Sequence, residues 1–322
     1  MKTLVIGDTH FHNSNKGLRH EQLKTIKRLY QLDVDNVIFL GDVFDKRNPS
    51  PECVLDVKRF FDGVFKDTYI LRGNHDSATK SDNGVTMLSV LERTGETNIT
   101  IVTQTMLVGS YYMIPHYEDD LVVKKYLYKA PKDCMVFGHF GFDGALNNAG
   151  DADCSLELDD FSNPTILGHI HSYCRERDIT VLGTPYTTCF QDIGQKYYGL
   201  VEQNVLTVHE SNHGPKHLVL EPEDLSSLSV YEDCSYLSIR LMLDSTTMEE
   251  NYLWDLKRKY PQVAYWDLKF KVSYDEEELS YYDTSSLSDI DDDVIAEYLK
   301  QSKTSWNNEE LLEILSELKN AD

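Results

Sequence analysis

The apolar positions of the first 140 residues come in short solid runs, each followed by a polar loop and then by a helix-like stretch. Thr3 to Ile6 runs into Gly7-Asp8-Thr9-His10, Asn36 to Leu40 into Gly41-Asp42, and Thr68 to Leu71 into Arg72-Gly73-Asn74-His75-Asp76. Runs that are apolar on both faces predict strands buried inside a sheet. Between them, Glu21 to Leu32 carries Leu23, Ile26, Leu29 and Leu32 at near-helical spacing. Pro51 to Val64 is the second predicted helix, with Ser50 as its N-cap and Pro51 at the first helical position. Strand–helix alternation of this kind predicts an α/β layered fold.

Two later runs end in the same way. Cys134 to Phe137 leads into Gly138-His139, and Thr165 to Leu167 into Gly168-His169-Ile170-His171. The runs at Ile179 to Leu182, Tyr197 to Val201 and Val205 to Val208 have the look of hairpins. Ser211-Asn212-His213-Gly214-Pro215 is a polar break that suits a domain boundary. Beyond it the pattern predicts a strand at Tyr236 to Leu243, a helix at Met248 to Tyr260 and a strand at Tyr265 to Val272. Two short amphipathic helices follow, at Asp289 to Gln301 and Asn307 to Leu318. The expected division is therefore 1–212, a small domain over 213–284, and an acidic helical tail over 285–322.

Composition adds a size and a compartment. At roughly 150 residues per domain, 322 residues with 41% apolar content make about two ordinary globular domains. No run approaches the ~18 apolar residues that would span a bilayer, and the acid at Asp8 ends the first apolar run too early for a secretory signal. The expectation is a soluble, cytoplasmic chain with no membrane partner. Six cysteines without pairing or zinc spacing read as reduced core residues. Charge changes the picture more. Thirty-one basic against 54 acidic residues give −23, a sign that repels nucleic acid over most of the surface. From Asp275 to Asp322 there are 15 acids and 3 lysines, so 3 − 15 = −12, about half of the excess, lies in the last 48 residues.

The candidate chemistry is concentrated at strand ends. Five of them present Asp8 and His10, Asp42, Asn74 and His75, His139, and His169 and His171. Ligands of open α/β sheets bind beyond the carboxyl ends of the strands. A single histidine there would more often be a hydrogen-bonded core or surface residue; five consecutive strand ends with one chemistry are not explained that way. Oxygen and imidazole donors without thiolate suit Mn, Fe or Zn. Seven such donors exceed one octahedral shell once water is counted, so two metals sharing a carboxylate is the simpler reading. Two ions about 3.5–4 Å apart suit phosphoryl hydrolysis.

Taken in order, Gly7-Asp8-Thr9-His10, Gly41-Asp42, Gly73-Asn74-His75-Asp76, Gly138-His139 and Gly168-His169-Ile170-His171 resemble the five motifs of the calcineurin-like metallophosphoesterases. That resemblance implies a four-layer α/β/β/α domain, here with a small α+β cap and a C-terminal helical pair. It implies two divalent metal ions, Mn in first place and Mg in second. Asp8, His10 and His171 would hold one, and Asn74, His139 and His169 the other, with Asp42 as the bridge. His75 would contact the scissile phosphate and assist the leaving oxygen, and Asp76 would orient its ring.

Within that family, Gly41-Asp42-Val43-Phe44-Asp45 and the segment Gly183-Thr184-Pro185-Tyr186 to Phe190-Gln191-Asp192 and Lys196-Tyr197-Tyr198-Gly199-Leu200 are similar to the SbcD-type nuclease subunits. Archaeal and eukaryotic relatives carry a second histidine where Asp45 stands, so no proton-transfer role is carried over to that position. The resemblance implies a metal-dependent DNA exonuclease and endonuclease of repair or recombination. Its implied partners are DNA, an SMC-like coiled-coil ATPase of the SbcC type, docked through the tail, and, as an option, a second copy of the chain. The alternatives are a phosphoesterase acting on a phosphoprotein or small nucleotide, and a regulatory scaffold for the ATPase. Arg72 is expected to meet a substrate phosphate. Lys46 and Arg47 are as compatible with plain surface charge. Tyr111, Tyr112, Tyr281 and Tyr282 are expected to pack in strands rather than stack on bases, and His213 and His217 to lie on the surface.

Overall fold

The computed structural model describes residues 1–80, 84–92, 98–145, 154–231, 233–244 and 251–271. Residues Met1–Phe270 form one compact unit. The expected helices at 289–301 and 307–318, and Tyr281 and Tyr282, lie outside the described residues.

Two six-stranded sheets dominate. The first contains β1 (Lys2–Ile6), β2 (Asn36–Phe39), β3 (Asp67–Leu71) and β4 (Ile99–Val102), all parallel, and is extended beyond β1 by the antiparallel hairpin β11 (Tyr197–Glu202) and β12 (Val205–Glu210). The second runs in the order β5 (Met106–Val108), β6 (Tyr111–Ile114), β7 (Met135–His139), β8 (Thr165–Gly168), β10 (Ile179–Val181) and β9 (Cys174–Glu176). The hairpin reading of the later runs holds: β9 and β10 pair antiparallel, as do β11 and β12. Gln203 and Asn204 turn the second hairpin with φ of 50° and 59°, the left-handed pair that matches strand twist in a two-residue loop.

Side-chain alternation explains the layers. On the first sheet Leu4, Ile6, Val37, Phe39 and Ile70 face outward against Ile26 and Leu29 of α1 (Lys16–Leu29) and Cys53, Val57 and Phe61 of α2 (Pro51–Asp62). Val5, Ile38, Leu40 and Leu71 face the other way and meet Met113, Phe137, Ile166 and Leu182 from the second sheet. Outside that sheet, Ile114, Val136, Leu167 and Val181 pack with Val123 and Leu127 of α3 (Asp120–Lys129). The result is helix, sheet, sheet, helix, the four-layer order expected from strands apolar on both faces. Tyr111 and Tyr112 are buried in β6, as their packing role requires.

Both predicted helices are present. Ser50 caps α2, its hydroxyl accepting from Cys53 N at 3.3 Å, with Pro51 in the first turn. α1 begins five residues earlier than its apolar spacing suggests, because Asn15 accepts from Leu18 N at 3.0 Å and so starts the helix before the apolar stripe is established.

A third sheet follows the break at 211–215. β13 (Lys216–Leu220), β14 (Leu237–Leu243) and β15 (Val263–Phe270) are all parallel, with α4 (Tyr252–Lys259) crossing between the last two. The predicted strand–helix–strand is thus a parallel crossover with one more strand in front of it. That extra strand corrects one expectation: His217 is not a surface residue but lies in β13 at 5% exposure, its ring 3.0 Å from the Thr187 hydroxyl. His213 is exposed. Among the described residues no helix is long and apolar enough to cross a membrane.

Candidate metal centre

The carboxyl ends of β1, β2 and β3 from one sheet and of β7 and β8 from the other converge, and each delivers the residues its sequence promised. The loops are tied together by backbone: His10 N donates to Asp42 O at 2.9 Å and Phe11 N to Val43 O at 2.8 Å. Three of the expected ligands hold left-handed backbone, with φ of 40° at His10, 45° at Asp42 and 81° at His169. Such conformations cost a non-glycine residue on the order of 1–3 kcal/mol each and collect where side chains must be aimed. Glycine serves close approach here. A Cβ on Gly41, which itself has φ +125°, would collide with the His139 ring, and one on Gly168 would press on the Asp8 carboxylate.

The donors fall into two groups. His10 Nε2 and His171 Nε2 face one another at 2.8 Å, and Asp8, His10 and His171 offer ligand atoms that all lie within 4.8 Å of one another. On the other side, Asn74 Oδ1 lies 3.1 Å from His139 Nε2 and 3.2 Å from His169 Nδ1. Asp42 stands between, with Oδ2 at 3.7 Å from His10 Nε2 and Oδ1 at 3.5 Å from His139 Nε2.

The donor chemistry fits cations. His139 Nδ1 is 2.9 Å from Leu40 O, an obligate acceptor, so Nδ1 carries the proton and Nε2 presents a lone pair. That lone pair faces Asp42 Oδ1 and Asn74 Oδ1, both acceptors as well. Asp8 Oδ2 accepts from His169 N at 2.7 Å, whereas its buried Oδ1 has no hydrogen-bond partner among the described residues. Lone pairs turned on one another in a buried site are what a divalent ion satisfies.

Electrostatics says the same. Burial, reinforced by the Asp42 charge, holds the Asp8 carboxyl well above the usual carboxylate range. Asp42 is also buried, but positive charge on the neighbouring His139, His10 and His75 rings would outweigh that and keep it well below; where those rings are neutral, the counter-charge has to come from a cation. Burial pushes His10 down to about 3 and lowers His171, so both rings are neutral at physiological pH with lone pairs to give. Two carboxylates this close share the strain of ionising, and a cation removes it.

His75 stands beside the His10 group, with ring centroids 5.1 Å apart. Its amide donates to Asp42 Oδ1 at 2.8 Å, and its Nδ1 is 2.9 Å from Asp45 O. The carbonyl of Asp45 therefore fixes the ring, which corrects the role carried over to Asp76. The Asp76 carboxylate instead accepts from Val43 N and Gly73 N, both at 3.0 Å, and from Phe44 N at 3.3 Å. It splices the β2 loop to the β3 loop. Burial, then the Asp42 charge, raises Asp76 to about 7. Arg72, expected to meet a substrate phosphate, is 1% exposed and donates to His116 O at 2.5 Å, which ties it to the end of β6.

Two features lay outside the motifs. His116 brings a further imidazole to the group, 6.0 Å from His139 and 6.1 Å from His169 between ring centroids. Its signal was available: Tyr111 to Ile114 is another apolar run, ending in Pro115-His116 without the glycine that marks the other five. The second feature is a buried pair, Lys196 and Asp192. Asp192 Oδ2 accepts from the Thr184 hydroxyl at 2.9 Å and from Thr188 N at 3.0 Å, while Lys196 Nζ reaches both Asp192 and the His171 carbonyl, the latter at 3.4 Å.

Comparison with known proteins agrees with this geometry. The family described as calcineurin-like phosphoesterase matches residues 1–173. No curated protein matches the chain.

Proposed function

The chain belongs to the calcineurin-like phosphoesterases, and on that footing we propose that it is the nuclease subunit of a DNA-processing complex, hydrolysing phosphodiester bonds with two divalent ions. Metal-dependent phosphoester hydrolysis follows from membership. The observation that carries the proposed site is Asp42, whose two oxygens face two separate imidazole groups with His75 alongside. Asp8, His10 and His171 would hold one ion and Asn74, His139 and His169 the other, Mn before Mg. When bound, such ions supply Lewis acidity toward phosphoryl oxygens and lower the pKa of water.

The remaining work falls to the chain. His75 Nδ1–H donates to Asp45 O, so Nε2 is the atom that meets the substrate; acting as the doubly protonated ring, it passes its Nε2 proton to the leaving oxygen and returns to the Nδ1–H imidazole. Asp76 keeps the Asp42 and His75 loops at fixed separation. Asp192 and Lys196 hold the loop that carries His171.

The DNA substrate is supported by the residues beyond 173. Phe190, in the segment similar to the SbcD-type closing loop, is held by the third sheet, with the Arg240 guanidinium 4.4 Å over its ring and His217 edge-on at 5.2 Å. A small-substrate enzyme has no evident need for that addition, nor for an acidic tail with apolar stripes, which suits docking on a basic, helical ATPase surface. One observation favours the smaller substrate: the cavity beside Asn74 and His169 sets Glu118 and Asp120 against Arg47 and Lys80, which gives a long polyanion no net attraction. The deciding assay is the purified chain on linear duplex DNA and on bis-p-nitrophenyl phosphate, each with Mn, Mg or EDTA. Mn-dependent release of nucleotides from duplex supports the nuclease. Turnover of the small diester with intact duplex refutes it and leaves the small-substrate phosphoesterase. Deletion of 285–322 should spare the chemistry and abolish co-purification with the ATPase; retained binding would place the docking surface elsewhere.

A further inference from the structure

His116 follows Pro115 at the end of β6, and its main chain is clamped from both sides. Its N–H donates to Arg72 O at 2.8 Å, and its carbonyl accepts from the Arg72 guanidinium at 2.5 Å. The strand end that delivers Asn74 and His75 therefore also aims His116. The side chain is 13% exposed, yet neither ring nitrogen has a hydrogen-bond partner among the described residues. Glu118 Oε1, at 3.8 Å from Nε2, is too far for one. A neutral imidazole carries one N–H donor and one lone pair. Removing both from water without replacement is unfavourable, and buried polar groups left so call for an explanation. Packing alone gives none, because an apolar ring would fill the same space without that penalty.

The ring opens on a cavity of about 270 Å³ that also touches Asn74, His169, Arg47 and Lys80. Arg47 is held in place there by the Ser77 and Thr79 carbonyls, at 3.3 and 3.2 Å. The space is thus shared by two expected metal ligands, an imidazole with both nitrogens to offer, and two cations set against Glu118 and Asp120, with Glu118 Oε1 3.8 Å from Arg47 Nη2. These side-chain charges offset one another, so what the protein offers a phosphoryl group here is hydrogen bonding to its oxygens, which the His116 ring can donate.

We propose that His116 is a substrate-contacting residue of the phosphoester site, donating a hydrogen bond to a phosphoryl oxygen from the Asn74–His139–His169 side, while His75 stands on the His10 side. The inference rests on the phosphoesterase reading above. The substrate would then be gripped by an imidazole at each end of the metal row, one aimed by Asp45 O and the other by Arg72.

The test compares wild type with His116→Phe, which keeps a ring and removes both nitrogens, and His116→Gln, which returns a donor and an acceptor. Each is loaded with Mn and its metal content measured by mass spectrometry. Inorganic phosphate binding is measured by calorimetry, and kcat and KM on bis-p-nitrophenyl phosphate. His116→Phe should keep its metal, bind phosphate about tenfold more weakly and lose at least about tenfold in kcat/KM, the worth of one hydrogen bond to a charged group. His116→Gln should recover part of both. Wild-type phosphate affinity in fully loaded His116→Phe overturns the proposal. Loss of metal from that variant also overturns it, making His116 a support of the metal centre. Should His116→Phe fail to fold, the same comparison is made with His116→Leu. If wild type hydrolyses no phosphodiester, the phosphoesterase reading fails, while the phosphate affinities still decide the role of His116.

Discussion

Replacing Lys196 by Met keeps the aliphatic stem and removes the ammonium. The pair it breaks is enclosed, with side-chain exposures of 2% for Lys196 and 0% for Asp192. Asp192 cannot turn to water, because Oδ2 is committed to the Thr184 hydroxyl and to Thr188 N and Oγ1 at 2.8–3.0 Å. Removing one member of such a pair leaves an uncompensated buried charge, which costs about 3–5 kcal/mol. For a unit of this size that lowers Tm by about 10 °C. The effect should also reach the metal site. The His171 carbonyl receives Lys196 Nζ at 3.4 Å and Thr184 N at 3.2 Å, so the loop carrying a ligand loses a tie. Loss of such outer support costs roughly 10–100-fold in metal affinity. Urea denaturation and Mn titration of Lys196→Met, Asp192→Asn and the double variant form a cycle. The double variant carries no charge at this buried pair and should regain most of the stability. A Lys196→Met protein as stable as wild type, or a double variant no better than the worse single, would refute the reasoning.

Other consequences follow from the same site. His75→Ala should retain metal and fold but lose about 10²–10⁴-fold in turnover, since its ring acts on phosphate and leaving group; mass spectrometry beside kcat checks it, and near-normal turnover removes the role. Asp42→Ala should release both metals and cost more rate than loss of any single histidine ligand, because its two oxygens serve two donor groups; retention of both metals at wild-type affinity would show that it is no bridge. Burial pushes the His217 imidazole from 6.5 down to about 4. The unfolded chain then binds the extra proton between those values, so this contribution is complete above about pH 6.5 and is lost as pH falls toward 4. The shift amounts to roughly 3 kcal/mol. In His217→Gln the slope of unfolding free energy over that window should fall by about one proton; an unchanged slope places the acid sensitivity elsewhere.

The parts that were legible in the sequence are those where one residue's neighbours in the chain determine its place. Gly7-Asp8-Thr9-His10 must follow β1 and Gly138-His139 must end β7, so a run of apolar residues and a polar exit suffice to set both at the same edge. Both layers of the core could be read from runs apolar on two faces. What was hidden depends on residues far apart. β4 and β5 are four and three residues long, too short for a period to declare itself, and β13 alternates too weakly to separate His217 from a surface histidine. Asp76 sits next to His75 in sequence, but its carboxylate is captured by amides 32 and 33 residues away. Arg72 is adjacent to the motif and yet turned inward by a carbonyl 44 residues on. His116 is the converse, a functional position whose importance comes from which strand lies beside β7 rather than from its local pattern.

The net charge of −23 looks at odds with an anionic substrate until the acids are sorted by place. Asp8, Asp42, Asp76 and Asp192 are buried, each bound to amides, hydroxyls or imidazoles of the site, so they set geometry and cation affinity rather than an outward field. With two divalent ions, as proposed, +4 would stand against at most −2 from Asp8 and Asp42, which would make the occupied centre locally positive. Charges more than about 8 Å away are largely screened at physiological salt. The surface acids therefore weaken long-range attraction of a polyanion without opposing phosphate once it reaches the ions. A chain built this way holds a phosphoryl group well and gathers a long duplex poorly, and it would gain most from a partner that supplies the missing basic surface.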